Sequence, residues 1–308
     1  MPHIAVLVPC YNEEAAIATV VRDFRAALPD ATVYVYDNNS RDRTVEEARA
    51  AGAVVRNEPR QGKGNVVRRM FADIEADIYV LVDGDDTYDA GAAPRMVGAM
   101  LEQGCDLVTA RRIHVDAAAY RPGHVLGNRL LTGLTAWLFN VRLSDMLSGY
   151  RVFSRRFVKS FPFTAEGFGI ETELTVHAVR LMMPMEEIDT RYKERPAGSV
   201  SKLNTWRDGY RILRTIGHLV REERPFVYFS AGFAVLALAS VLISVPLMQE
   251  YLASGQVPRL PTAILATGLM LLAFLSLTCG LILDTVTRGR WEQKRMAYLA
   301  IPGPTDKA

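Results

Sequence analysis

The stretch IYVLVDGDDTYD, Ile78 to Asp89, decides the fold. An apolar run, Ile78 to Val82, ends abruptly in Asp83, Asp85, Asp86 and then Asp89. A short apolar run of this kind reads as a buried strand. Carboxylates just past its C-terminal end stand where open α/β sheets bind ligands. Asp83 and Asp85 are two apart, so one side chain can face a ligand while the backbone turns to bring in the other. Clustered carboxylates repel unless a cation joins them, and hard oxygen ligands suit Mg2+ or Mn2+. The competing reading is a solvated acidic turn, and the rest of the chain decides between the two.

On the N-terminal side, apolar runs alternate with helical patterns. Ile4 to Val8 precedes an amphipathic segment, Glu13 to Leu28, with Ile17, Val20, Val21, Phe24 and Leu28 at helical spacing. Thr32 to Tyr36 is the next run, followed by a helix from about Thr44 to Ala51. Val54 and Val55 mark a short strand, and Lys63 to Ile74 reads as a helix. Beyond the acidic cluster, Ala92 to Glu102 is helical and Asp106 to Thr109 closes the series. This order predicts an α/β fold, a mostly parallel, Rossmann-like sheet with helices on both faces. A polar cluster follows each strand: Pro9-Cys10-Tyr11-Asn12-Glu13-Glu14, then Asp37 to Thr44, then Gln61-Gly62-Lys63-Gly64, then Asp83-Gly84-Asp85-Asp86. One such cluster is an ordinary helix cap. Four in succession on one edge fit a ligand site.

Taken together, VPCYNEE at 8–14, DNNSRDRT at 37–44, GKG at 62–64 and DGDD at 83–86 resemble glycosyltransferase family 2. The resemblance covers roughly residues 4 to 203. It implies the GT-A fold, a nucleotide-diphosphate sugar as donor, and Mg2+ or Mn2+ held by Asp83 and Asp85. It also implies a donor site drawn from Pro9, Tyr11, Asn12, Glu13, Asp37, Asn38, Ser40, Asp42, Lys63, Asp83 and Gly84. Asn38-Asn39 departs from the Asp-Gly of many members, although Asp37, the first acid, is kept.

The middle of the chain narrows the resemblance. Ala110-Arg111-Arg112 follows a strand, and Gly123 to Leu143 reads as a helix carrying Arg129. Ser144 to Arg151 (SDMLSGYR) and Tyr192 to Leu203 (YKERPAGSVSKL) come next. These elements are similar to those of the polyprenyl-phosphate glycosyltransferases, the group containing dolichol-phosphate mannose synthase. That similarity implies an acceptor-phosphate site made of Arg111 or Arg112 with Arg129. Guanidinium forks match phosphate oxygens on their own account, and a loop with Gly198, Ser199 and Ser201 offers further donors. Arg195 and Lys202 add positive charge to that loop. Asp85, Arg129 and Asp145 are the candidate catalytic residues, with Glu171 and Glu173 as further candidate acids that a helix start facing solvent would equally explain.

Thr205 to Arg221 has a basic, amphipathic pattern suited to the headgroup layer of a membrane. Phe226 to Met248 and Thr262 to Leu283 carry no charged residue. Each exceeds the about 20 residues that cross a bilayer core. Arg221, Arg224, Arg288, Arg290, Lys294 and Arg295 flank their outer ends. The positive-inside rule then puts the enzyme domain and both termini in the cytosol. The expected organisation is a GT-A domain over 1–203, a juxtamembrane helix over 204–224, a transmembrane hairpin over 225–284 and a loose basic tail over 285–308.

Bulk properties exclude several classes. Net charge is +2 over 308 residues, so no global field marks a nucleic-acid binder. Three cysteines without motif spacing argue against a disulfide framework and a zinc site. Neither apolar segment holds a charge that would mark a transport path. The combined expectation is inverting, metal-dependent transfer of a hexose to a polyprenyl phosphate at the cytosolic face of a membrane, by composition a bacterial inner membrane. Relatives with paired membrane helices can assemble as tetramers, so a homo-oligomer is among the partners the resemblance implies. The rivals are a family 2 transferase acting on a hydroxyl acceptor, which would need a general base, and a non-catalytic, membrane-tethered nucleotide-sugar binder.

Overall fold

The computed structural model describes residues 2–114, 133, 144–162, 169–194, 214, 217–218 and 220–304. It divides into two compact units: residues 1–212 with 294–308, and residues 213–293.

In the first unit the short apolar runs become strands. They are Ile4–Cys10 (β1), Thr32–Asp37 (β2), Val54–Asn57 (β3), Ile78–Leu81 (β4), Leu107–His114 (β5), Arg151–Ser154 (β6) and Met185–Tyr192 (β7). They form one sheet in the order β3-β2-β1-β4-β6-β5-β7. β1 and β4 pair in parallel at its centre, Ile4 opposite Ile78, and all residues of β4 are buried. That is why their sequences are continuously apolar rather than alternating. The intervening helices are Ile17–Ala27 (α1), Thr44–Ala50 (α2), Lys63–Asp73 (α3) and Ala93–Gln103 (α4). α1 buries Ile17, Val20, Val21 and Phe24, the stripe its spacing predicts. α4 ends at Gly104, whose φ of 65° suits a residue without a β-carbon.

Two features depart from the sequence reading. β5 runs on to His114, so Arg111 and Arg112 lie within a strand rather than after one. Between β4 and β5 sits β6, antiparallel to both. Because β6 runs backwards, the loop before it, residues 144–150, reaches the edge where the parallel strands end; Leu81 pairs with Arg151. Arg155–Ser160 (α5) and Ile170–Arg180 (α6) follow β6. The expected helix over 123–143, apart from residue 133, and the loop bearing Arg195, Ser199, Ser201 and Lys202 lie outside the described residues, as does Arg129.

The second unit contains Pro225–Ser254 (α7) and most of Leu260–Leu299 (α8), both long and apolar enough to cross a membrane. The buried residues of α8, Ala266, Ala273, Gly280 and Thr287, recur every seventh position. This is the spacing of a left-handed helix pair. A β-carbon on Gly280 would lie 2.9 Å from Phe229 Cβ, so only glycine admits this approach. Ser240 donates to the Ala266 carbonyl (2.7 Å) and Ser276 to that of Phe229 (2.9 Å). The other faces expose Leu238, Leu242, Leu272 and Leu275. Helices this apolar that face outwards differ from the core helices of a soluble protein, which hide such faces.

Helix α8 continues past the apolar segment to Leu299, where a loose tail was expected. Lys294 onward counts with the first unit. Tyr298 donates its hydroxyl to Asp106 Oδ2 (2.8 Å), and Arg156 lies over the Tyr298 ring at 4.8 Å. Asp106 is fully buried and also accepts from Arg156 and Ser154. This seat lies at the sheet edge opposite the acidic loop. A cavity of about 370 Å³, lined by Glu75, Asp77, Arg155, Lys159 and Ala300–Pro304, adjoins it.

Candidate active site

Five loops meet at the edge where β1, β2 and β4 end, and side-chain bonds stitch them together. The Asn12 backbone N–H donates to Ser40 Oγ (2.8 Å), and Asn12 Oδ1 accepts from the Arg41 N–H (2.8 Å). Glu13 and Glu14 donate backbone N–H groups to Thr44 Oγ1 and Asp42 Oδ2. Asp42 also accepts the Thr44 hydroxyl at 2.5 Å. Burial pushes its carboxyl up, but these bonds outweigh it and hold the pKa below the ordinary value. Asn12, Ser40 and Asp42 therefore clasp the first loop to the second. Asp37 is buried and accepts from the Ser40 N–H (3.1 Å).

The Asn38-Asn39 departure has a physical explanation. Asn38 donates both amide protons, to the carbonyls of Glu58 and Arg60 (2.8 Å each), and accepts from the Gly62 N–H (2.7 Å). An ionised aspartate could make only the last bond. Asn39 has φ 66°, a conformation that glycine or asparagine tolerates. Asn12 and Asp86 share that region, so three of the four non-glycine residues with positive φ among the described residues lie in these loops.

At the centre, Lys63 Nζ lies 2.5 Å from Asp83 Oδ1 and 2.6 Å from Glu171 Oε1. Helix α3 presents Lys63 at its first turn, after Gly62 at φ 126°, and helix α6 presents Glu171 at its own. Burial acts to lower the Lys63 pKa, but its two carboxylates win and raise it. Glu171 is held below the ordinary range because Lys63 outweighs its burial. Asp83 is pushed above the ordinary range by burial, with Lys63 opposing and Asp85 and Glu171 reinforcing. Two acids, Asp83 and Glu171, thus share one ammonium, with Asp85 close enough to act on Asp83. Asp85 is buried and accepts the Thr87 hydroxyl at 2.6 Å. Gly84 is required by close approach: a β-carbon would lie 2.6 Å from Cys10 Sγ.

The loop before β6 completes the wall. A β-carbon on Gly149 would lie 2.2 Å from Asp83 Oδ2, and the Gly149 N–H donates to the Tyr88 hydroxyl (2.8 Å). Asp145 takes Arg112 in a two-point bond, 2.7 and 2.8 Å. Arg112 also stacks over Tyr192 at 5.5 Å. Arg111, one residue along the strand, takes the opposite face and pairs with Asp189. So Arg112 adjoins the acidic site and Arg111 does not. Asp145, expected as a catalytic acid, has both oxygens engaged by Arg112. Glu171 is half-buried and turned to Lys63 at the centre rather than to solvent. Buried Arg151 donates to the carbonyls of Ser148 and Met146 and to Thr175 Oγ1. It ties this loop to α6; its only sequence signal was its place in SDMLSGYR.

Among the described residues, no three carboxylate, imidazole or thiol groups converge to hold a metal ion. Asp83 and Asp85 nevertheless offer hard oxygens in a site where Lys63 is shared between Asp83 and Glu171. They fit Mg2+ or Mn2+ provided the substrate supplies further oxygens.

An acidic pair at the topological switch point of the sheet, with clasped loops beside it and a stacked arginine, is the arrangement in which open α/β sheets bind ligands. Residues 5–161 match the family described as Glycosyl transferase family 2, and the chain belongs to that family. Glycosyltransferase AglJ of Haloferax volcanii is 36% identical over 241 residues, 76% of this chain and 78% of its own. A dolichyl-phosphate hexose transferase of the same organism is 29% identical over 221 residues, covering 72% and 95%. Among solved structures, glucosyl-3-phosphoglycerate synthase from Mycobacterium tuberculosis, in complex with Mn2+, uridine diphosphate and glucosyl-3-phosphoglycerate, aligns with a TM-score of 0.58 at 25% identity. The alignment covers 71% of this chain and 79% of that one. The GT-A architecture expected from sequence is thereby established.

Proposed function

We propose that this glycosyltransferase moves a hexose from a nucleotide-diphosphate sugar to a polyprenyl phosphate at a membrane surface. The observation that carries the reading is the presence, in one chain, of a cation-ready GT-A site and two outward-facing apolar helices of spanning length. The dolichyl-phosphate hexose transferase among the relatives supports the lipid acceptor. The uridine diphosphate and Mn2+ of the solved relative support the donor and the metal.

In this reading Asp37, Asn38 and the clasped first and second loops receive the nucleoside. Asp83 and Asp85 would hold Mg2+ or Mn2+, which when bound would neutralise the charge gathering on the leaving diphosphate. Arg112, oriented by Asp145 and Tyr192, faces the acceptor phosphate, with Arg129, Arg195, Ser199, Ser201 and Lys202 as its partners. A phosphate monoester loses its second proton at about pH 6. The acceptor therefore arrives ionised and attacks the anomeric carbon directly, inverting it. No strong base is needed, which suits Glu171, whose lowered pKa makes it a weak one. Residues 294–308 belong to the same unit as residues 1–212, so the chain leaves that unit through the hairpin and returns to it. With the flanking arginines, this supports a cytosolic catalytic unit and two spans.

The test is to incubate the purified protein with undecaprenyl or dolichyl phosphate and a panel of UDP- and GDP-sugars, and to identify the lipid by mass. A polyprenyl-phosphate hexose is expected. Transfer only to a hydroxyl-bearing glycan, or no transfer at all, would overturn the reading.

A further inference from the structure

We infer that Lys63 is the resident counter-cation of the acidic site, and that a divalent metal and the donor diphosphate bind as one coupled event that displaces it. The inference rests on the donor-binding reading above and concerns how that site loads.

Three observations carry it. First, the Lys63 ammonium already occupies Asp83 Oδ1 at 2.5 Å, and Glu171 anchors it from the far side at 2.6 Å. Second, the other oxygen of Asp83 faces the bare Cα of Gly149, where a β-carbon would come within 2.2 Å. Gly149 is itself held by Tyr88. Asp83 therefore offers its ligand oxygen on the side that Lys63 occupies. Third, Lys63 is about a third exposed and stands on the first turn of α3, after a glycine with φ 126°. Its four-carbon stem leaves the ammonium free to move while the helix stays in place.

A metal bound to Asp83 with Lys63 in place would bring a dication against an ammonium, and the two repel. A diphosphate removes the conflict, because it offers anionic oxygens to both cations. Lys63 would exchange Asp83 for a phosphate oxygen, which would leave that carboxylate oxygen available to a cation. Metal alone must compete with Lys63, whereas metal with nucleotide need not. Such coupling is reciprocal: each ligand tightens the other by the same factor.

The test measures Mn2+ binding to the full-length protein by electron paramagnetic resonance, with MnCl2 alone and with UDP or GDP present. Lys63→Met is compared with Lys63→Arg and wild type, each first checked for an unchanged melting transition. Without nucleotide, Lys63→Met should bind Mn2+ about tenfold more tightly than wild type, and Lys63→Arg should stay near wild type. The gain in Mn2+ affinity given by the nucleotide should shrink in Lys63→Met. Unchanged or weaker Mn2+ binding by Lys63→Met would overturn the inference. If Lys63→Met does not fold, Lys63→Gln serves under the same criteria. The nucleotide-free arm tests Lys63 without a donor, so failure of both nucleotides to bind would count against the donor reading while leaving that arm decisive.

Discussion

Arg112 and Arg111 are adjacent in sequence and opposite in role. Arg112 is pinned by a two-point bond to Asp145 and by the Tyr192 ring, whereas Arg111 pairs with Asp189 on the other face. Arg112→Ala should raise the KM for polyprenyl phosphate by about tenfold or more while leaving nucleotide affinity near normal. Arg111→Ala, which removes an exposed ion pair, should change neither appreciably. Initial rates at varied acceptor concentration separate the two, and equal losses would place both arginines in the site. At the acidic centre, Asp85→Ala should abolish transfer while the protein remains folded and membrane-bound. Turnover of that variant, or undiminished wild-type turnover after chelation, would argue against the metal role.

The loop before β6 shows what an element adds to its residues. Gly149 presses on Asp83, so Gly149→Ala should tilt that carboxylate and lower kcat on the order of 10²-fold without unfolding the unit. Retained kcat would mean that Asp83 tolerates the shift. Helix α6 carries a different signature. His177 lies between Phe157 and Phe161, at ring distances of 5.2 and 5.1 Å, and its pKa is pulled down to about 3, chiefly by burial. In the unfolded chain the imidazole titrates at about 6.5. Between those values the unfolded state binds more protons, so this contribution is intact above about pH 6.5 and declines as pH falls towards about 3. His177→Phe should flatten that decline, as read from melting temperature against pH. The central strands, the four loops and the acidic pair were legible because apolar runs and turn chemistry are local signals. β6 and β7 were not, since Arg151–Ser154 is short and carries a buried arginine, and β7 is rich in charge. The partnership of Lys63 with Glu171 joins residues 108 positions apart, which no periodicity reveals.

On the scale of the whole chain, the sheet has two working edges. One gathers the acidic site. The other seats Tyr298 on the Asp106–Arg156 pair. Tyr298→Phe removes one bond to a buried carboxylate and should lower the stability of the catalytic unit by about 1–3 kcal/mol. It should leave the KM values for donor and acceptor unchanged, because the seat lies at the opposite edge. A melting temperature equal to that of wild type would show that the seat contributes nothing. The seat also imposes an order on biogenesis. Translation delivers the strands first, then both apolar helices, and only then the tyrosine that caps Asp106. A nascent chain therefore cannot finish its catalytic unit before both apolar helices have been synthesised, so completion of that unit waits on the last stretch of the chain to be made.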